Sequence, residues 1–321
     1  MRRKPLAAKK AAGPTPRIRS SLFPRSPEVA DDLHAVIRRL LGDRVHESQE
    51  ELMAALNGIR DSGQLDAALN APGSNPREEA QRLTARAYQV ADDDKARELV
   101  ARALELDPGN TDAMLLEVPL STAGSLPRLR EIVALAREHL GEAAFTEDLG
   151  HFWGVAHTRE YMRAHHKLAL ACFWSRQFPE AIVEMERMLE LDQRDVLAVR
   201  EMLLPLYLRD KAEAPATALI ARFEGHESAL WQWAIFLHAM LFGDEKQRRF
   251  ALGDAYRVNR FMPDHIFGYA AKERPSLRDY YEPGSEDEAN SAALVLLPVI
   301  AAHPEATTQW LADLILKQEL K

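Results

Sequence analysis

Histidines, which often hold zinc or transfer protons, are concentrated in one stretch of the chain, GHFWGVAHTREYMRAHH, from Gly150 to His166. Four of the eleven histidines lie in it: His151, His157, His165 and His166. Asp148 precedes the stretch and Glu160 lies within it, so carboxylates are close by in the sequence. These residue types make the stretch the first candidate for a metal centre or an active site.

The spacing of these histidines argues against a metal centre. A zinc site needs three or four ligands that converge on one point, and no two of these histidines have the HExxH or i, i+4 spacing. His165 and His166 are adjacent, so they diverge by about 100° around a helix. We expect His165 to pack at a helix–helix contact and His166 to face a groove. A metal- or cofactor-dependent enzyme that uses residues 151–166 is kept as an alternative hypothesis.

Other catalytic patterns are absent from the sequence. It contains no phosphate-binding loop, no dinucleotide-binding fingerprint and no nucleophile elbow. Cys172 is the only cysteine, which excludes an internal disulfide and a cysteine-based zinc site. It lies in an apolar helix pattern, where buried cysteine behaves as a small hydrophobic residue. We therefore predict no catalytic residue, no metal and no cofactor.

The composition is typical of a helical globular protein. Of the 321 residues, 46% are hydrophobic and only 7% aromatic, and the helix-favouring residues Ala, Leu, Glu and Arg dominate. The longest apolar run, SAALVLLPVIAA at residues 291–302, is shorter than the roughly 20 residues of a membrane span and contains Pro298. We expect it to be a buried helix in a cytoplasmic protein that does not enter a membrane.

Charge is distributed unevenly along the chain. Residues 1–27 hold eight basic residues and no acidic one; subtracting these from the 41 Lys and Arg leaves 33 basic against 49 acidic residues, or −16. Four prolines and the lack of a periodic apolar face predict that this segment is a disordered tail. No apolar signal core follows its basic start, so a secretory signal is not expected, while a transit peptide stays open. A nucleic-acid adaptor that uses this tail is a second alternative hypothesis.

Internal repeats follow from residue 71 onward. The segment KARELVARALELDPGN at 95–110 is echoed by EAIVEMERMLELDQRD at 180–195 and more faintly by FALGDAYRVNRFMPDH at 250–265. Another helical pattern precedes each copy, so each unit is a pair of helices joined by a turn. Helix–turn–helix units with a period near 34 residues indicate tetratricopeptide repeats. Small residues stand where the helices of each unit are expected to cross: Thr84 and Ala96, Ala169 and Ala181, Ala239 and Ala251.

The repeat spacing predicts the domain organisation. The repeats are expected at residues 77–110, 111–144, 162–195, 196–229 and 232–265, with an insertion at 145–161 between the second and the third. The fold class is therefore all-α: an α-solenoid over residues 71–321 that ends in capping helices. A helical segment at residues 28–70 and the basic tail at residues 1–27 precede it.

Three motifs point to one subfamily of tetratricopeptide-repeat proteins. The segments GHFWG…TREYMRA, AIVEMERMLELDQRD and YYEPGSEDEA resemble a subfamily of tetratricopeptide-repeat proteins that is similar to proteins named after suppression of tumorigenicity. The subfamily pattern reads GHFWG, three residues, then TRPYMRA, so Glu160 stands where the pattern has proline. The resemblance covers roughly residues 75–315. It implies an α-solenoid without enzymatic activity.

The insertion and the first helices contain the candidate functional residues. Phe152 and Trp153 lie between two glycines that allow tight bends, so we expect them to be structural anchors that fill the gap between repeats. In a solenoid of this type, certain first-helix positions face a concave groove. At these positions the register places Arg163, His166, Lys167, Arg200 and Trp233.

A groove with these residues suits a protein or peptide partner with acidic or C-terminal carboxylate groups, because arginine can donate two hydrogen bonds to a carboxylate. The alternative that these charges pair internally with Glu160, Glu184 or Glu201 stays open. The favoured hypothesis is a non-enzymatic scaffold that binds a protein partner in its groove.

Overall fold

In a computed structural model of the chain, the structure describes residues 18–19, 36–37, 40–42, 48–70, 75–120, 123–266 and 280–306. These residues are predominantly α-helical, with two strands of two residues each, which confirms the predicted all-α class. The predicted disordered tail lies outside the described residues except for Ile18–Arg19, and the helical segment at residues 28–70 is described only in part. None of the described helices combines the length and apolar composition that a membrane crossing requires.

The chain divides into two compact units. One, called here the N-terminal unit, spans Pro24–Val199; the other, the C-terminal unit, joins Met1–Phe23 to Arg200–Lys321. The α-helices of the N-terminal unit are α1 (Gln49–Asp61), α2 (Gln64–Asn70), α3 (Pro76–Gln89), α4 (Asp93–Leu106), α5 (Thr111–Glu117), α6 (Leu126–Leu140), α7 (Ala144–Glu147), α8 (Arg159–Trp174) and α9 (Phe178–Leu191). Short 3-10 helices lie at Ala123–Ser125, Phe152–Gly154 and Ala156–Thr158.

The C-terminal unit contains the remaining elements. Its helices are α10 (Arg200–Arg209), α11 (Glu213–Arg222), α12 (Ala229–Phe242), α13 (Glu245–Val258), α14 (Met262–Ile266) and α15 (Glu286–Ala302). Strand β1 (Ile18–Arg19) pairs antiparallel with β2 (Tyr280–Tyr281), with Ile18 opposite Tyr281 and Arg19 opposite Tyr280. The predicted apolar run at residues 291–302 thus lies within α15.

Helix pairs recur at the predicted positions. Within each of the predicted repeats two helices follow one another, and the pairs α3–α4, α8–α9, α10–α11 and α12–α13 are in contact. Of the six small residues expected at helix crossings, five are buried and Ala96 is half-buried. Small side chains let two helices approach closely, because a larger one would hold their backbones apart.

Helix starts follow from capping residues. The Asn75 side chain accepts the backbone N–H of Glu78 at the start of α3, and Asp92 accepts two backbone N–H groups at the start of α4. Asp244 and Gln247 form a reciprocal capping box at the start of α13. These side chains satisfy N–H groups that have no partner within the helix, so they fix where each helix begins.

Helix α15 packs against the first helices of the two helix pairs in the C-terminal unit. It contacts α10 and α12 as well as the short helix α14. Its buried residues include Ala289, Ala292, Ala293, Val295, Leu296 and Val299. Helix α15 therefore completes the core of this unit, and α10 and α12 are covered on two sides, by their own second helices and by α15.

Candidate functional site

The two aromatic residues of the insertion are packed into the N-terminal unit. Phe152 is fully buried, and its ring lies 5.3 Å from that of Phe145 and 6.2 Å from that of Tyr161. Trp153 is also buried, and the guanidinium of Arg159 lies 5.9 Å from its ring while Arg159 Nε donates to the Trp153 carbonyl at 2.9 Å. These contacts tie the insertion to the start of α8.

A backbone contact joins the insertion to the turn after α9. The Gln193 N–H donates to the Gly150 carbonyl at 2.9 Å, and Asp192 forms bridges to Gly150 and His151. Gly150 has a φ of +87°, and a Cβ there would lie 3.2 Å from Gln193 Nε2. Glycine is favoured at this position by both the positive φ and the close approach. The GHFWG segment and the DQRD segment therefore form one joint.

The four histidines of the stretch have separate surroundings. His151 is exposed, and His157 is mostly exposed with Nε2 3.1 Å from Asp148 Oδ2. His165 is buried between α8 and α9, where its Nε2 pairs with the Glu184 carboxylate, and His166 is also buried. Within the described ranges no three His, Cys, Asp or Glu side chains are grouped so as to hold a metal ion.

Arg163, the first of the candidate groove residues, forms a buried ion pair. Its Nε and Nη2 donate to Asp112 Oδ1 and Oδ2 at 2.7 and 2.6 Å, and the two side chains are only 4% and 1% exposed. Gln81 Nε2 also donates to Asp112 Oδ2 at 2.9 Å, and Asn110 Nδ2 donates to Gln81 Oε1 at 3.1 Å. The Arg163 guanidinium is therefore part of a polar network that joins α3, α5 and α8.

Lys167 and His166 are buried one helical turn further along α8. Lys167 Nζ donates to the carbonyl of Leu115 on α5, and burial lowers the pKa of Lys167 to about 8. His166, which the register placed facing a groove, is 1% exposed. Arg163 and Lys167 are thus brought together against α5, so a partner would reach these two side chains only if α5 and α8 moved apart.

Arg200, in the C-terminal unit, lies at the start of α10 beside the loop before α12. Its Nη2 lies 3.0 Å from His226 Nδ1, and its guanidinium carbon lies 4.9 Å from the Phe223 ring. The neighbouring Glu201 is buried, and its carboxylate lies 2.8 Å from His226 Nε2 and accepts from Ser228 Oγ at 2.5 Å. The side chains of Arg200 and Glu201 therefore both contact the His226 ring.

Trp233 is fully buried within the same unit. Its indole Nε1 donates to the Asn259 carbonyl at 3.1 Å, and its ring lies 5.7 Å from that of Phe236. Asn259 in turn donates through Nδ2 to Glu288 Oε2 at 3.0 Å. Trp233 is consequently connected, through Asn259, to the start of α15. That Arg163, His166, Lys167, Arg200 and Trp233 bind a peptide stays a prediction.

Two buried carboxylates that were not singled out in the sequence organise these surroundings. Asp112 follows Asn110, which caps α5, so the only available signal is its place in the first turn of a helix. Glu288 accepts the backbone N–H groups of Gly284 at 2.7 Å and Ala229 at 3.2 Å, and burial raises its pKa. Its signal is the Ser285 capping residue three positions earlier. Neither signal indicates burial.

Cys172 is fully buried on α8, as expected for a core residue. Burial raises its pKa to about 12, and the nearby carboxylates of Glu180 and Glu184 add to this effect. A thiol with this pKa holds its proton at neutral pH, and the thiolate is the reactive form. The arrangement does not suit nucleophilic catalysis.

Compared with known proteins, the chain matches no protein-family model, no curated protein and no solved structure. The chemistry and exposure of the described side chains are thus the basis for assigning a function.

Proposed function

We propose that this chain is a scaffold of the tetratricopeptide-repeat type that binds another protein and performs no chemistry of its own. The observation that carries the proposal is the series of helix pairs at the predicted repeat positions, with five of the six small residues expected at their crossings buried. Repeats of this kind act as preformed binding surfaces, because their helices are already ordered before a partner arrives.

The exposed surface that best fits a partner with carboxylate groups lies on α13. Phe250 is 74% exposed, which is the largest value among the exposed large hydrophobic residues of the described ranges. Lys246 precedes it by four residues and Arg257 follows it by seven, so the helical period places all three on one face. Arg257 also forms an ion pair with Asp254. An exposed ring with Lys246 on the same face suits an acidic segment that also carries an apolar side chain.

Arg163, His166, Lys167, Arg200 and Trp233 have a supporting role in this proposal. The side chains of Arg163, Lys167, Arg200 and Trp233 contact groups of their own unit, and His166 is buried, so all five contribute to the packing of the first helices. Removing them would change partner binding through the fold. Removing Phe250 would change it at the surface itself.

The test is affinity capture of partners with the wild-type chain and two matched variants. Phe250→Ala should reduce capture while the melting temperature stays unchanged, because the ring is exposed. Val183→Ala is the control, since Val183 is 61% exposed on α9 of the other unit. Capture by the wild type should weaken as salt is raised, because charge attraction is screened within about 10 Å at 0.1 M salt.

Three outcomes would count against the proposal. Equal capture by Phe250→Ala and the wild type would remove α13 as the binding surface. Equal losses in Phe250→Ala and Val183→Ala would mean that binding is not specific to α13. A wild-type chain that captures no protein at all would remove the scaffold function.

A further inference from the structure

Two segments that are far apart in the sequence meet through a backbone contact in the C-terminal unit. Strand β1 (Ile18–Arg19) is paired with β2 (Tyr280–Tyr281), which directly precedes the turn into α15. In the described part of the chain this is the one sheet, and it has two strands. Strand addition to an exposed edge is a common way in which proteins bind an extended peptide, with affinity coming from main-chain hydrogen bonds.

The sequence segments that contain the two strands have opposite charge. Residues 1–27 contain eight basic residues and no acidic one, and residues 280–288 contain four acidic residues and no basic one. Three of the four acids are exposed in the structure: Glu282, Glu286 and Asp287. Complementary charge adds attraction and speeds association where the opposing groups are near the surface. The sequence around β1 is therefore opposite in charge to the residues that begin with β2.

The surface around β2 is held in place by buried groups. Tyr281 is buried, and burial together with the carboxylates of Glu201 and Glu288 raises its pKa. Glu288 accepts the backbone N–H of Gly284 at 2.7 Å, and Gly284 has a φ of +77°, so the turn between β2 and α15 has a defined shape. The strand edge and the acids after it are thus preformed, which lowers the entropy cost of binding.

From these observations we infer that residues 280–288 form a docking surface for an extended, arginine-containing peptide segment. The occupant in this structure is the chain's own basic segment at Ile18–Arg19. This inference does not rest on the proposed function, because it involves neither α13 nor the repeat assignment. It predicts that the chain's own segment and an added peptide of the same sequence compete for one surface.

The physical basis of the competition is effective concentration. A segment tied to the same chain is present at an effective concentration in the millimolar range when its linker allows it to reach. An added peptide at micromolar concentration would then bind the wild-type chain poorly. Releasing the chain's own segment should uncover the surface without changing it.

The experiment uses the full chain and a fluorescent peptide of residues 14–25, PTPRIRSSLFPR. A tail variant releases the chain's own segment through three substitutions: Arg17→Glu, Ile18→Pro and Arg19→Glu. Proline has no N–H to donate across the strand pair, and the glutamates reverse the charge. Fluorescence anisotropy at low salt should show the tail variant binding the peptide at least ~10-fold more tightly than the wild type, because the tethered competitor is gone.

Two controls make the result specific to the surface. The same peptide with Ile18→Pro should not bind the tail variant. A tail variant that also carries the surface substitutions should lose most of its affinity while keeping its melting temperature: Glu282→Gln, Glu286→Gln and Asp287→Asn.

Other results would overturn the inference. Equal peptide affinity for the wild type and the tail variant would show that the chain's own segment does not occupy the surface. Unchanged affinity after the acid substitutions would show that the peptide binds elsewhere. A wild-type chain that is dimeric, with a monomeric tail variant, would assign the paired strand to a second copy.

Discussion

Arg163 and Asp112, which are 51 positions apart in the sequence, form a two-point ion pair inside the N-terminal unit, with Nε–Oδ1 and Nη2–Oδ2 distances of 2.7 and 2.6 Å. Removing two charges from water is costly, so such a pair is stable only when both partners are present. The pair therefore fixes α8 against α5 with a defined register.

Replacing one partner of this pair should strongly destabilise the fold. Arg163→Met should lower the free energy of unfolding by about 3–5 kcal/mol, because the Asp112 carboxylate is left buried without its cation. The double variant with Asp112→Leu should lose less than the sum of the two single changes. Urea titration followed by circular dichroism measures both. Arg128→Met is the control, since its exposed pair with Glu131 should contribute less than about 1 kcal/mol. A loss for Arg163→Met as small as that of the control would contradict the structural role.

The aromatic residues of the insertion should stabilise the fold without a metal. Trp153→Ala should lower the free energy of unfolding by about 3–5 kcal/mol, because emptying a large aromatic site leaves a cavity. A chelator should leave the melting temperature of the wild type unchanged. Thermal melts with and without the chelator measure both effects. A drop in melting temperature on chelation would support a metal in the histidine-rich stretch instead.

The joint between the insertion and the turn after α9 should depend more on Gly150 than on Gly154. Gly150→Ala should cost more than about 1 kcal/mol, because its φ is +87° and a Cβ would lie 3.2 Å from Gln193 Nε2. Gly154→Ala should cost less, since the nearest atom to its Cβ is the end of the flexible Arg194 side chain. Chemical denaturation of the two variants side by side measures the difference. Equal losses would mean that the backbone conformation at Gly150 is not what matters.

Lys167 should make stability depend on alkaline pH. Burial lowers its pKa from 10.5 to about 8, so between these values the unfolded chain binds the proton and the folded chain does not. The contribution of Lys167 to the free energy of unfolding should therefore increase as pH rises through this window, by on the order of 3 kcal/mol. Lys167→Met lacks this contribution. From pH 7 to 11, the free energy of unfolding of the wild type should therefore rise relative to that of Lys167→Met. A constant difference would contradict the pKa shift.

Cys172 should react with a thiol reagent only when the chain unfolds. Burial and the neighbouring carboxylates of Glu180 and Glu184 raise its pKa to about 12, so both access and thiolate formation are suppressed at pH 8. One thiol per chain should appear in urea and none under native conditions, measured by absorbance with a disulfide reagent. Rapid labelling of the native protein would mean that α8 is open to solvent at this point.

The helix positions could be predicted because the apolar period and the crossing residues are local signals. Ala169 and Ala181, which were expected where α8 and α9 cross, are both fully buried. The sequences DP at 107–108 and DQ at 192–193 directly follow the ends of α4 and α9. The burial of Arg163 could not be predicted in this way. It depends on Asp112 of another helix, and an isolated Asp in a first turn is equally typical of a solvent-exposed capping residue.

The environment of Trp233 and Arg200 could not be predicted from the sequence for a related reason. Repeat register places both on first helices, but register does not say what covers that face. Helix α15 covers that face of α10 and α12. The apolar sequence of α15 predicts that it is buried, but it does not predict which helices it packs against. The pairing of β1 with β2 was equally inaccessible, because two residues are too few for a strand period to be recognised.

The packing of α15 across α10 and α12 has a consequence for the order of events during synthesis. The N-terminal unit is built from one continuous stretch, so all of its residues have been made before α10 is begun. In the C-terminal unit, α10 and α12 keep the apolar face that α15 covers open to the surroundings until α15 has left the ribosome. Nascent chains commonly fold domain by domain from the N-terminus, and exposed apolar surface makes incomplete domains prone to aggregation. Between the synthesis of α12 and that of α15, the apolar surface that α15 covers in the folded unit is therefore exposed.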